Sequence, residues 1–247
     1  MEFQVEKGFY GQGIERGDRK LIMNDLAKAI IQKALSLSNA QKLELANIII
    51  EDLNRKDIQL YFKDAALQDE ALKSGWSGTV DQDWKQDYLN ISDANLGAYK
   101  SDYYVKRAVD YSVDLSRENP EAVLKITYTH TAQQKDWMTK DYVDFVRIYA
   151  PQDSYLGNEG NFGKVVFGSE LNKKYFGTLI GVPLGATKTF EWRYALPQKL
   201  KDDYDLKIQK QAGINGVPYA IHITEKNGGQ KDYSFVLEQD VVLSKLK

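Results

Sequence analysis

The residues best suited to chemistry lie between Asp93 and Arg107. The stretch DANLGAYKSD, from Asp93 to Asp102, is followed closely by Arg107. It gathers acids, an amide, a lysine and an arginine between two segments that read as strands. Asn95, Lys100 and Arg107 could face an anionic group or a sugar, with Gly97 letting the backbone approach it. These three form the candidate ligand-binding set. The same residue types also build turns, because Asn and Gly tolerate left-handed backbone and short polar side chains bond their own main chain. The site reading expects Lys100 and Arg107 to act through surface charge. The turn reading expects Asn95 and Gly97 to act through backbone conformation, with Gly97 at positive φ.

Other chemistry is thinly represented. The acids Asp81, Asp83 and Asp87, and Asp202, Asp203 and Asp205, are clustered. A glycosidase needs two carboxylates facing one another about 5 to 9.5 Å apart, which loop spacing does not establish. Asp81-Gln82-Asp83 resembles the start of a calcium loop but lacks the glycine at position six and the glutamate at position twelve. A solvated acidic loop is the expectation there. The chain has no cysteine and two histidines, His130 and His222, outside any zinc-ligand spacing. Both histidines are expected as partly exposed sheet residues. No nucleophile elbow, dinucleotide fingerprint or P-loop occurs. No catalytic residue, metal or cofactor is therefore assigned. Tyr103, Tyr104, Trp137 and Tyr142 could stack on sugars or partner side chains, although tyrosines also favour strands for packing alone.

The elements that must position these groups change character along the chain. Ile22, Leu26, Ile30, Ala34 and Leu37 recur at helical spacing from Asp18 to Leu37, with Asp18 as N-cap. Ser38 and Gln41 form a capping box for a second helix, whose buried stripe would be Leu45, Ile49 and Leu53 with Ala46 and Ile50. Asp57–Phe62 reads as a short strand. Asp64 caps a further helix that Gly75 ends. Tyr88–Ile91 reads as another strand. From about Tyr103 onward, short segments of period two alternate with turn signals such as Asn119-Pro120, Pro151, Gly185 and Gly228-Gly229. The clearest is Lys188–Leu196, where Phe190, Trp192 and Tyr194 alternate with polar neighbours. The fold class is α+β: a helical α/β segment over residues 1–100, followed by an antiparallel, immunoglobulin-like β-sandwich over residues 101–247.

Composition excludes some functions. The 247 residues carry a net charge of −2, without the basic excess that phosphate neutralisation requires, so no nucleic acid is expected as partner. No apolar run approaches the roughly 20 residues of a membrane-spanning helix.

Three stretches resemble a known family. They are GDRKLIMNDLAKAIIQKAL (Gly17–Leu35), RKDIQLYFKDAALQDEALKSGWSG (Arg55–Gly78) and DYLNISDANLGAYKSDYYVKRAVDYSVDL (Asp87–Leu115). Together they look like the downstream half of the domain-of-unknown-function family 4012. DYVDFVRIYAPQDSYL, FEWRYALP and YDLKIQKQAG extend the resemblance over nearly the whole chain. The resemblance implies a bacterial, extracytoplasmic protein at the cell surface. It also implies an upstream membrane anchor and an upstream half with a glycine-rich motif, neither of them in this chain. It carries no catalytic residues over. The function expected from it is a surface module that binds or supports, with cell-envelope polysaccharide or another surface protein as partner. The alternative is an accessory part of an envelope glycopolymer enzyme whose catalytic residues lie upstream.

Overall fold

Local sequence sets the helices. The computed structural model of the protein describes residues 21–157 and 163–244. The helices are α1 (Leu21–Leu35), α2 (Asn39–Asn54) and α3 (Ala65–Lys73). Asp18, the expected cap of α1, lies outside the described residues. The capping box of α2 forms as its residues dictate: Ser38 N–H donates to Gln41 Oε1 at 3.1 Å and Gln41 N–H to Ser38 Oγ at 3.4 Å. Asp64 caps α3 by accepting from the N–H groups of Ala66 and Leu67, each at 3.0 Å. Gly75 follows α3 at φ +74°, a left-handed position that favours glycine.

The chain divides into two compact units, Met1–Glu51 and Asp52–Lys247. In the first, the expected apolar stripes are not buried. Leu26, Ile30, Ile49 and Ile50 are exposed by 36%, 58%, 40% and 45%. Leu53, which belongs to the second unit, is the one buried member of the α2 stripe. Helical period identifies an amphipathic helix but not what covers its apolar face.

Among its described residues the second unit contains twelve strands, numbered in chain order: β1 (Asp87–Ser92), β2 (Val105–Asp114), β3 (Glu121–His130), β4 (Tyr142–Pro151), β5 (Tyr155–Leu156), β6 (Val165–Glu170), β7 (Lys173–Val182), β8 (Thr187–Ala195), β9 (Leu206–Gln209), β10 (Val217–Thr224), β11 (Gln230–Leu237) and β12 (Val241–Leu243). They form two six-stranded sheets, ordered β12-β9-β1-β4-β7-β6 and β11-β10-β2-β3-β8-β5. Pairing is antiparallel except for β1 with β9 and β2 with β10. The fold is thus α+β with a sandwich of antiparallel-dominated sheets.

Two elements differ from the sequence expectation. Asp57–Phe62 is not a strand: Leu60 N–H donates to Trp76 O, and no neighbouring strand supplies a ladder. β1, grouped by sequence with the helical segment, lies inside the first sheet between β9 and β4.

The core lies between the sheets. In β8 the expected alternation holds, with Phe190, Trp192 and Tyr194 buried and Glu191 and Arg193 outside the core. Tyrosines take part through their hydroxyls as well as their rings. Asp87 is fully buried rather than part of a solvated acidic loop. It accepts from Tyr88 N–H at 2.8 Å, Tyr111 OH at 2.9 Å and Tyr204 OH at 2.6 Å, and Tyr194 OH bonds Tyr111 OH at 3.1 Å. Burial pushes the Asp87 carboxyl up to about 6, and the two tyrosine hydroxyls oppose that rise.

Candidate functional site

The Asp93–Tyr104 segment carries the chain from the first sheet to the second. Its backbone runs beside β4: Leu96 and Gly97 N–H donate to Val143 O, and Phe145 N–H donates to Ala94 O. Asn95 organises the turn that follows. Its Oδ1 accepts from Gly97 N–H at 2.8 Å, and its Nδ2 donates to Tyr99 O at 3.2 Å and Asp102 Oδ2 at 2.7 Å. The left-handed residue is Ala98, at φ 60°, and not Gly97. A Cβ on Gly97 would instead meet Asn95 Oδ1 at 2.9 Å, so a valine there would displace the amide. The short helix Ser101–Tyr104 completes the crossing, with Ser101 Oγ donating to Lys140 O at 2.9 Å.

The candidate residues do not converge on one point. Asn95 is spent on the turn. Lys100 is exposed and tied through its N–H to Met138 O. Arg107 is buried instead of surface-exposed, because it shares the inward phase of β2 with Val109, Tyr111 and Val113. Asn95→Ala removes three hydrogen bonds in a partly exposed loop. It will lower unfolding free energy by about 1–3 kcal/mol, measured by urea denaturation. A loss below about 0.5 kcal/mol would show that the turn stands without its amide.

Beneath the segment lies a charged cluster that the candidate set only touches. Arg107 Nη1 donates to Asp93 Oδ2 at 2.6 Å, with side chains 5% and 8% exposed. Tyr128 OH donates to Asp93 Oδ1 at 2.7 Å, and Arg107 Nε is buried without a partner. Asp144, fully buried on β4, adjoins Asp93. Burial first, then the Asp93 charge, push its carboxyl up to about 8. Neither Asp144 oxygen has a hydrogen-bond partner of good geometry, and the Tyr142 hydroxyl and Ala94 N–H relieve it only in part. Sequence held a signal for these residues. Asp144 alternates in phase with Tyr142, Val146 and Ile148, and Tyr128 with Leu124 and Ile126. A charged residue in the buried phase of a strand must find an inward partner or hold its proton.

A cleft of about 650 Å3 opens over this cluster. It exists because β10 pairs with β2 only from Val109 onward, leaving Val105–Ala108 with β3 on one side and loop 213–216 with the first residues of β10 beyond. Asp93 and Arg107 reach it from inside; Asp102, Tyr103 and Lys106 stand at its rim, and Tyr103 is 73% exposed. Such a lining can stack on a ring and exchange hydrogen bonds with hydroxyls. Among the stacking candidates, Tyr142 is buried and Trp137 is exposed. A second cavity, of about 490 Å3, lies by Leu115, Tyr204, Ile223 and Tyr233, but its rim charges pair among themselves as Lys226–Asp202 and Lys231–Glu225.

The remaining polar residues are otherwise engaged. His130 is buried, not partly exposed, and its Nε2 lies 3.0 Å from Lys140 O. His222 is half-exposed, with Nδ1 2.6 Å from Asp232. Asp81 accepts from Asp83 and Trp84 N–H and pairs with Lys207 at 2.6 Å. Among the described residues no group of acids and histidines is arranged to hold a metal ion, and no helix is long and apolar enough to cross a membrane.

No protein-family model matches the chain, and no curated protein matches it. Solved structures share parts of its architecture at low similarity. A chain from Legionella pneumophila subsp. pneumophila described as a nutrient binding protein is 8% identical with TM-score 0.37, over 64% of this chain and 71% of that one. An M1 zinc metallopeptidase from Deinococcus radiodurans is 10% identical with TM-score 0.32, over 57% and 42%. Legionella pneumophila aminopeptidase A, in complex with aspartic acid, is 14% identical with TM-score 0.32, over 63% and 23%. This chain therefore spans less than half the length of either peptidase, and no activity follows from likenesses this slight.

Proposed function

We propose that this chain is a binding module of the bacterial cell surface, held there by an upstream anchor, and that its cleft takes a segment of envelope polysaccharide. The observation that supports this reading is the rim of the cleft. An exposed Tyr103 ring stands beside Asp102 and Lys106 over the buried Asp93–Arg107 pair. An aromatic face stacks on the apolar side of a sugar ring, while carboxylate and ammonium groups satisfy its hydroxyls. The reading assigns binding to the cleft and no step of turnover.

The test is calorimetric titration of the intact chain with envelope polysaccharide fragments. Tyr103→Ala, at an exposed position, will weaken binding about five- to tenfold, as expected for loss of a stacked ring, and leave the melting temperature unchanged. Absence of binding to any fragment, or equal binding by Tyr103→Ala, would overturn the reading.

A further inference from the structure

The first sheet ends in an open edge whose sequence is complementary to itself. β6 pairs with β7 on one side, from Val165↔Thr178 to Glu170↔Lys173, and it closes the sheet order. On its other side, no strand among the described residues meets its alternate backbone N–H and C=O groups. Sheet edges are commonly blunted by proline, bulges or inward charges. β6 has none of these along its paired length. Its middle is apolar and open to solvent, with Val166 45% and Phe167 67% exposed. Apolar exposure continues onto β7, where Leu179 is 54% exposed.

The charges lie at the two ends. The stretch KVVFGSE places Lys164 before the strand and Glu170 at its end, both exposed. Around a two-fold axis through Phe167, antiparallel pairing sets Lys164 opposite Glu170 of the second copy. It likewise sets Val166 opposite Gly168 and Phe167 opposite itself. Strand alternation puts residues 164, 166, 168 and 170 on one face. Each Lys164 therefore meets a Glu170 on that face, twice per dimer. Gly168 has no side chain, and the ring of Tyr175 lies across it, since a Cβ there would fall 2.8 Å from Tyr175 Cε1. Val166 of the copy would thus meet the aromatic ring that covers Gly168. On the other face, Phe167 and Tyr155 flank Lys174 Nζ at 5.9 and 6.0 Å, so the meeting phenylalanines keep a cation at their margin.

We propose that β6 is a homotypic interface, through which two copies of this chain join edge to edge into a continuous sheet. A two-fold contact must be self-complementary, and this edge is so in charge and in apolar content. The interface lies away from the cleft residues and does not depend on their ligand.

Sedimentation velocity of the intact chain over a wide concentration range tests the proposal. A monomer–dimer equilibrium is expected. Amide exchange in Val165–Glu170 should slow as concentration rises. Val166→Lys will leave the protein monomeric. Lys164→Glu sets like charges opposite one another at two places and will weaken the dimer about tenfold. Adding Glu170→Lys to Lys164→Glu will restore the dimer. A monomer at every concentration, or a dimer indifferent to Val166→Lys or to Lys164→Glu, would overturn the proposal. Glu170→Lys also removes the in-chain contacts of Glu170 with Arg147 and Tyr149, so circular dichroism accompanies it. If that variant is unfolded, the Lys164→Glu and Val166→Lys results, with the exchange data, decide alone.

Discussion

An Arg107→Ala protein will be less stable than its parent by about 3–5 kcal/mol, the cost of removing one partner from a buried ion pair. Arg107 Nη1 lies 2.6 Å from Asp93 Oδ2, and both side chains are more than nine-tenths buried. Removing the guanidinium leaves the Asp93 charge in a space of low polarity with the Tyr128 hydroxyl as its donor and the Asp144 carboxyl beside it. Coulomb repulsion between the two acids is then no longer offset by the guanidinium, which faces Asp93 in the parent. Urea unfolding gives the measurement, with Lys100→Ala as control. Lys100 is exposed, so its loss should stay within about 1 kcal/mol. Equal effects of the two substitutions would show that the Asp93–Arg107 pair does not hold this end of the sandwich.

Raising the pH from 5 to 8 will destabilise the parent protein, and Asp144→Asn will remove much of that loss. Burial and the neighbouring Asp93 raise the Asp144 carboxyl to about 8, and burial raises Asp87 to about 6. A carboxyl with a raised folded-state pKa holds its proton more tightly in the folded than in the unfolded chain. Its contribution to stability is full below the unfolded value, near 4, and is lost as pH rises through the folded value. For each such group the loss approaches about 1.4 kcal/mol per pH unit between the two values. Asp87 contributes from about pH 4 to 6 and Asp144 on up to about 8. Asp81 and Asp114, lowered by bonds to Lys207 and to Ser116 and Arg117, act in the opposite sense at more acid pH. Lys56, Lys173 and Lys210, held below the ordinary lysine value by burial, act in the opposite sense, adding stability as pH rises toward that ordinary value. Asparagine keeps the shape of a neutral aspartic acid, so Asp144→Asn should flatten the profile and exceed the parent in stability at pH 8. Parallel profiles for the two proteins would mean that Asp144 does not hold its proton.

What the sequence determined by itself was local. The capping box at Ser38 and Gln41, the cap at Asp64 and the left-handed Gly75 all form, because each depends on residues a few positions apart. The alternation in β8 marked its buried face correctly, because period two follows from strand geometry alone. The sandwich class was legible from the same periodicity and its turn signals. Membership of particular sheets was not. β1 pairs in parallel with β9, Asp87 opposite Leu206, and nothing near Asp87 signals so distant a neighbour. For the same reason Asp87 read as loop acid and proved to be the acceptor of two tyrosine hydroxyls. Within the candidate site, sequence singled out the stretch from Asp93 to Arg107 but turned Arg107 to the surface. Tertiary structure brought Tyr128 from β3 and Asp144 from β4 to Asp93. It also opened the cleft where β10 begins pairing late on β2. A strand's period tells which residues point inward, but only the packing of the two sheets decides which inward groups meet, and at what charge.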